Sequence, residues 1–126
     1  MQSETQNDIK LSKREIGYKY EKIAREYLIK NGYLILENNI YTRFGEIDIL
    51  AKKGNNYYII EVKGGIKREE IFERFSKSKL RKLLKLTEFI SLKYNSEFVF
   101  TDGIIISTME GRVTITYIEN ILQQGC

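Results

Sequence analysis

At 126 residues, with 42% apolar and 30% charged side chains, the chain has the make-up of one ordinary globular domain and is too short for two. Its formal net charge of +4 permits a nucleic-acid partner without establishing one. It has no histidine and a single cysteine, Cys126. That excludes Ser-His-Asp and Cys-His nucleophilic systems, His-ligated zinc, an intrachain disulfide and a cysteine metal cluster, leaving chemistry to carboxylates, lysines, hydroxyls and a hard metal.

Residues 1–12 read as a lead-in and residues 13–126 as a single domain. The opening MQSETQNDIK lacks the apolar core of a signal peptide, and no run is long enough to cross a membrane. A cytoplasmic location with no membrane partner is therefore the expectation. From Lys13 to Asn31 apolar residues recur at helical spacing (Ile16, Tyr20, Ile23, Ala24, Tyr27, Leu28), and Asn31-Gly32 is a helix stop. Three strand-like runs follow, YLILENNIY, GEIDILAKK and YYIIEVKG, the last two joined by the hairpin turn KKGNN. GIKREEIFERF reads as a charged, mobile connection. SKSKLRKLLKLTEFISLKY is a second amphipathic helix, with Ser76 as N-cap and Leu80, Leu83, Leu84, Thr87 and Ile90 on one face. EFVFTDGIIIST and RVTITYIENIL close the chain as two strands turned at MEGR. The order α-β-β-β-α-β-β predicts an α/β fold, a mixed central sheet flanked by helices.

Charge falls at alternate positions of the second and third strands. Alternation puts Glu46 and Asp48 on one face and Ile47, Ile49 and Ala51 on the other, with Glu61 and Lys63 sharing a face in the next strand. If the hairpin brings these faces together, three carboxylates repel unless positive charge sits among them, and Lys63 with a divalent cation would supply it. The plain alternative is a solvated strand face with cross-strand Glu-Lys pairs. Glu21 borders the apolar face of the first helix in line with Gly17, which leaves room for the sheet; otherwise it is an exposed helix glutamate beside Lys22 and Arg25. Lys77, Lys79, Arg81, Lys82 and Lys85 make the start of the second helix either a phosphate site or a solvated basic face.

GYKYEKIAREYL, NGYLILENNIYTRFGEIDILA, IIEVK and SKSKLRKLLK, in that order, resemble the YraN-like family of predicted endonucleases. That family belongs to the PD-(D/E)XK superfamily of restriction endonucleases and Holliday-junction resolvases. Asp48, twelve intervening residues and then Glu61-Val62-Lys63 is the D…EXK spacing. The resemblance implies a restriction-endonuclease-like fold and a nuclease dependent on Mg²⁺ or Mn²⁺, acting on DNA, branched forms included. It implies that Asp48, Glu61 and the Val62 carbonyl bind the metal, that Glu21 is an extra metal or water ligand, and that Glu46 matches the glutamate of the GEID motif. Lys63 would orient or help deprotonate the attacking water, and Lys79 would touch phosphate. Resolvase-like relatives act as dimers, so a homodimer is the expectation by analogy. Where the family commonly has a basic residue two positions after the lysine, this chain has Gly65, with Lys67 or Arg68 as candidate substitutes. The expected phosphate contacts are Lys67, Arg68, Lys77, Lys79, Arg81 and Lys82. The competing reading is a non-catalytic nucleic-acid-binding or assembly protein on the same fold.

Overall fold

A computed structural model describes residues 11–75 and 80–124. Helix α1 spans Lys13–Lys30. It starts on a reciprocal capping box: the Glu15 N–H donates to Ser12 Oγ at 3.1 Å and the Ser12 N–H to Glu15 Oε1 at 2.8 Å, so two donors that the first turn leaves unpaired are satisfied. It stops at Asn31-Gly32, where Gly32 takes φ 90° and the Tyr33 N–H reaches back to the Leu28 carbonyl at 3.0 Å. Strands β1 (Leu34–Thr42), β2 (Gly45–Lys53) and β3 (Asn56–Gly65) follow, then short helix α2 (Arg68–Glu73), helix α3 (Leu80–Tyr94), strands β4 (Val99–Ser107) and β5 (Thr114–Ile118), and helix α4 (Ile121–Gln124).

The sheet order is β1-β2-β3-β4-β5. Among the described residues, only β3 and β4 run parallel. A parallel pair needs a crossover, and α2 and α3 supply it. The alternation of β3 and β4 then divides the core. Ile60, Val62, Ile104 and Ile106 pack with Ala24 and Leu28 of α1 on one side. Ile59 and Ile105 pack with Ile71, Phe75, Leu83, Leu86 and Ile90 on the other. Burying a side chain as completely as Leu28 contributes about 2 kcal/mol. This is the α/β arrangement, a five-stranded mixed sheet between helices, of a restriction-endonuclease-like fold.

Several local expectations change. The connection GIKREEIFERF contains helix α2, held by Ile71, which is 2% exposed, and by Phe75 after it. The last strand ends at Ile118, and Ile121 begins a helical turn rather than extending it. On α3 Leu86 faces the core while Leu84 is exposed, and Ile16 of α1 is also exposed. Thr87 stays on the inner face because its hydroxyl has partners, the Leu83 carbonyl at 2.8 Å and Thr101 Oγ1 at 3.0 Å. Ser76, Lys77 and Lys79 lie outside the described residues, as does the lead-in up to residue 10.

Glycine matters most at Gly64, near the end of β3. A Cβ there would stand 2.2 Å from the Tyr20 ring, which lies directly over the backbone. Gly17 has no such role: a Cβ on it would meet nothing within 4 Å. Gly64→Ala is expected to destabilise the protein by about 1–3 kcal/mol, the overpacking range. Gly17→Ala should be neutral or slightly stabilising, since alanine is the better helix former. Urea denaturation of the two variants checks both, and equal midpoints would refute the close approach at Gly64.

Candidate metal and nucleic-acid site

The charged positions gather where the sheet opens. The β2–β3 ladder runs from Lys53↔Asn56 to Ile49↔Ile60 and stops, one residue short of Asp48 and Glu61. Beyond it the Asp48 carboxylate takes over from the backbone, and its Oδ2 accepts the Val62 N–H at 2.8 Å. Strict alternation fails at the same place. Ile47 packs in the α2/α3 core, whereas Ile49 and Ala51 pack in the α1 core, so the three do not share a face. Opposite this place on β1, Asn39 takes φ 50° between the pairs Asn38↔Ile49 and Ile40↔Ile47. Asparagine is among the few side chains that tolerate that conformation. The irregularity leaves Asp48 between the two layers rather than on either one.

Asp48 and Lys63 consequently line two clefts. One, of about 490 Å³, lies on the α1 side with Glu21, Tyr20, Lys13 and Arg74. The other, of about 180 Å³, lies on the α3 side with Glu46, Glu61 and Lys82. Carboxylate oxygens of Glu21, Glu46 and Asp48 fall within 4.8 Å of one another. Asn39 ties two of these together, its Nδ2 donating to Glu21 Oε1 and to Glu46 Oε2, each at 3.0 Å. Glu61, 8% exposed, lies 3.3 Å from the Lys63 ammonium.

The electrostatics follow from this crowding. Burial pushes the Asp48 carboxyl up to about 7, reinforced by Glu61 and Glu21 and opposed by the Val62 N–H and Lys63. Burial also raises Glu21, with Glu46 adding to it and the Asn39 hydrogen bond opposing.

The remaining predicted residues divide. Lys82 reaches the site, its side chain lying across Gly45, where a Cβ would be 2.6 Å from Lys82 Cδ. Arg81 and Lys67 are exposed and line neither cleft. Arg68 turns away, its Nε donating to Thr116 Oγ1 at 3.2 Å beside a separate cavity of about 690 Å³ at the β5 edge that includes none of the four carboxylates. Val62 meets Asp48 through its N–H. Asn39 and Arg74 are site neighbours that the sequence did not single out, and Tyr20, which it gave only as part of the first helix's apolar spacing, is another. The only trace of Asn39 was a polar Asn-Asn pair in a strand-like run.

Residues 20–106, which include Glu21, the GEID segment and the EVK segment, match the family described as "Uncharacterised protein family UPF0102". The chain belongs to UPF0102, the YraN-like family. A UPF0102 protein of Campylobacter hominis is 40% identical over 88% of this chain and 96% of its own length. Another, of Campylobacter fetus, is 39% identical over 71% of this chain and 80% of its own. A UPF0102 protein of Vibrio campbellii is 30% identical over 90% and 97%. The PD-(D/E)XK placement of the UPF0102 family agrees with the mixed sheet and with an acidic group at its opening. Among the described residues of this UPF0102 chain, no helix is long and apolar enough to cross a membrane.

Proposed function

We propose that the protein is a divalent-metal-dependent endonuclease that hydrolyses phosphodiester bonds of DNA, branched forms included. The observation that carries this reading is the place of Asp48, at the end of the β2–β3 ladder with Glu21 and Glu46 within 4.8 Å and the Glu61–Lys63 pair lining the same cleft. A half-buried carboxylate pushed up by burial and by the neighbouring Glu61 favours this reading over a solvated strand face.

The residues present fit a hard cation. Among the described residues, Glu21, Glu46 and Asp48 converge carboxylate oxygens there, the ligand type that Mg²⁺ and Mn²⁺ prefer. Asp48 and Glu61 would hold the ion, with the Val62 carbonyl, and Glu21 and Glu46 would flank it. When bound, the ion supplies an activated water and neutralises charge on the phosphoryl oxygens. The protein's own part is positional. Asn39 holds Glu21 and Glu46 in register, the Val62 N–H fixes the Asp48 rotamer, and Lys63 presents an ammonium beside Glu61 where the phosphate gains charge. Lys82 adds a cation on the α3 side for the phosphate backbone.

Calorimetric titration with Mn²⁺ tests the assignment. The wild type should show one site, and Asp48→Asn a much weaker one, because the variant keeps an acceptor for the Val62 N–H while losing the charge. Equal binding by the two proteins would overturn it.

A further inference from the structure

Two glycines end β3, and each admits a different neighbour. Alternation turns Gly64 toward α1, where the Tyr20 ring covers it, and Gly65 toward α2. At Gly65 a Cβ would stand 3.1 Å from Ile71 Cγ1 and 3.2 Å from Arg74 Nη2. Arg74, the residue that ends α2, donates from that same Nη2 to the Gly64 carbonyl. The bare backbone at Gly64-Gly65 therefore receives a guanidinium, one residue past Lys63. A carbonyl is neutral, so the bond orients Arg74 without cancelling its charge and engages one of its five donors. The cleft that Arg74 lines is the one containing Asp48, Glu21, Lys63 and Lys13. A planar guanidinium fork suits a phosphate better than a point-like ammonium does.

We propose that Arg74 binds a phosphate oxygen of the nucleic-acid strand occupying this cleft, on the α1 side of the carboxylates. The inference rests on the nuclease reading and adds a contact that neither the D…EXK spacing nor the basic start of α3 contains. The strand is thus held from both sides of the sheet, by Arg74 in one cleft and Lys82 in the other.

The experiment is equilibrium binding of a fluorescein-labelled duplex oligonucleotide in Ca²⁺, which usually supports binding without cleavage, over a range of salt. Wild type, Arg74→Ala and Arg74→Lys are compared, with the Mn²⁺ titration repeated on Arg74→Ala. Loss of one charge-assisted phosphate contact predicts affinity about tenfold weaker in Arg74→Ala and a log–log salt slope smaller by about one. Arg74→Lys should recover the slope but only part of the affinity, and Mn²⁺ binding should persist in Arg74→Ala. Wild-type affinity and slope in Arg74→Ala would overturn the proposal while leaving the nuclease reading standing. Weaker binding with an unchanged slope, or with Mn²⁺ binding lost, would make Arg74 a purely structural residue and also overturn it. A wild type that binds no DNA at all would overturn both.

Discussion

Lys63→Ala is expected to lower single-turnover DNA cleavage at least about a hundredfold, roughly 2.7 kcal/mol of barrier, while DNA binding in Ca²⁺ changes little. The reason is where the ammonium sits. It lies 3.3 Å from Glu61 and lines both clefts together with Asp48, so much of its charge is already committed to protein carboxylates before a substrate arrives. An interaction of that kind gains strength only as the phosphate acquires charge, and an interaction strengthened in the transition state acts on rate. A residue serving simply as one phosphate contact among several would behave in the opposite way, with affinity falling and the rate at saturation intact. Single-turnover kinetics with saturating enzyme separates the two. Cleavage by Lys63→Ala as fast as wild type once saturated would remove Lys63 from the mechanism.

The second large effect is on stability and its dependence on pH. Asp48 in the folded protein titrates near 7, against about 3.9 for an unfolded aspartate. Between those values the folded state binds more protons than the unfolded one. The contribution is therefore fully present below pH 4 and is lost as pH rises through 7, which makes the metal-free protein less stable at pH 8 by about 4 kcal/mol from this group. Burial raises Glu21 and Asp102 in the same direction, so they add to the trend. Thermal denaturation without metal should thus show a lower midpoint at pH 8 than at pH 5. Mn²⁺ or Mg²⁺ should raise the midpoint strongly at pH 8 and weakly at pH 5, where the ion must displace a proton. Asp48→Asn should flatten most of the pH dependence and abolish the metal effect. An undiminished pH slope in Asp48→Asn would mean that the carboxylate is not the strained group.

Much of this was visible in the residues, and what was hidden has physical causes. Long periodic segments such as α1 and α3 declare themselves because tertiary packing uses the same face that their spacing repeats. The choice between Leu84 and Leu86 does not, since three leucines crowd within one turn and only the angle of docking selects among them. Helix α2 looked like a charged connection because it is six residues long and is held by Ile71 alone within its length. The gathering of Asp48, Glu61 and Lys63 at one cleft was legible, because neighbouring strands place them there. The convergence of Glu21 with Glu46 depends on Asn39, a left-handed residue in a third element that no periodicity marks. Arg74 was hidden for a related reason: it meets β3 through a carbonyl hydrogen bond and a missing side chain, and neither leaves a pattern in the chain.

The most direct test is a cleavage assay on labelled duplex, single-stranded, flap and four-way-junction DNA, with Mg²⁺, with Mn²⁺ and with chelator, comparing wild type and Asp48→Asn. The arrangement at the sheet opening predicts cleavage of at least one of these substrates by the wild type only when a divalent ion is present, and none by Asp48→Asn. Intact DNA in every wild-type reaction, from protein that is folded and still binds DNA, would contradict the nuclease and leave a binding protein on the same fold.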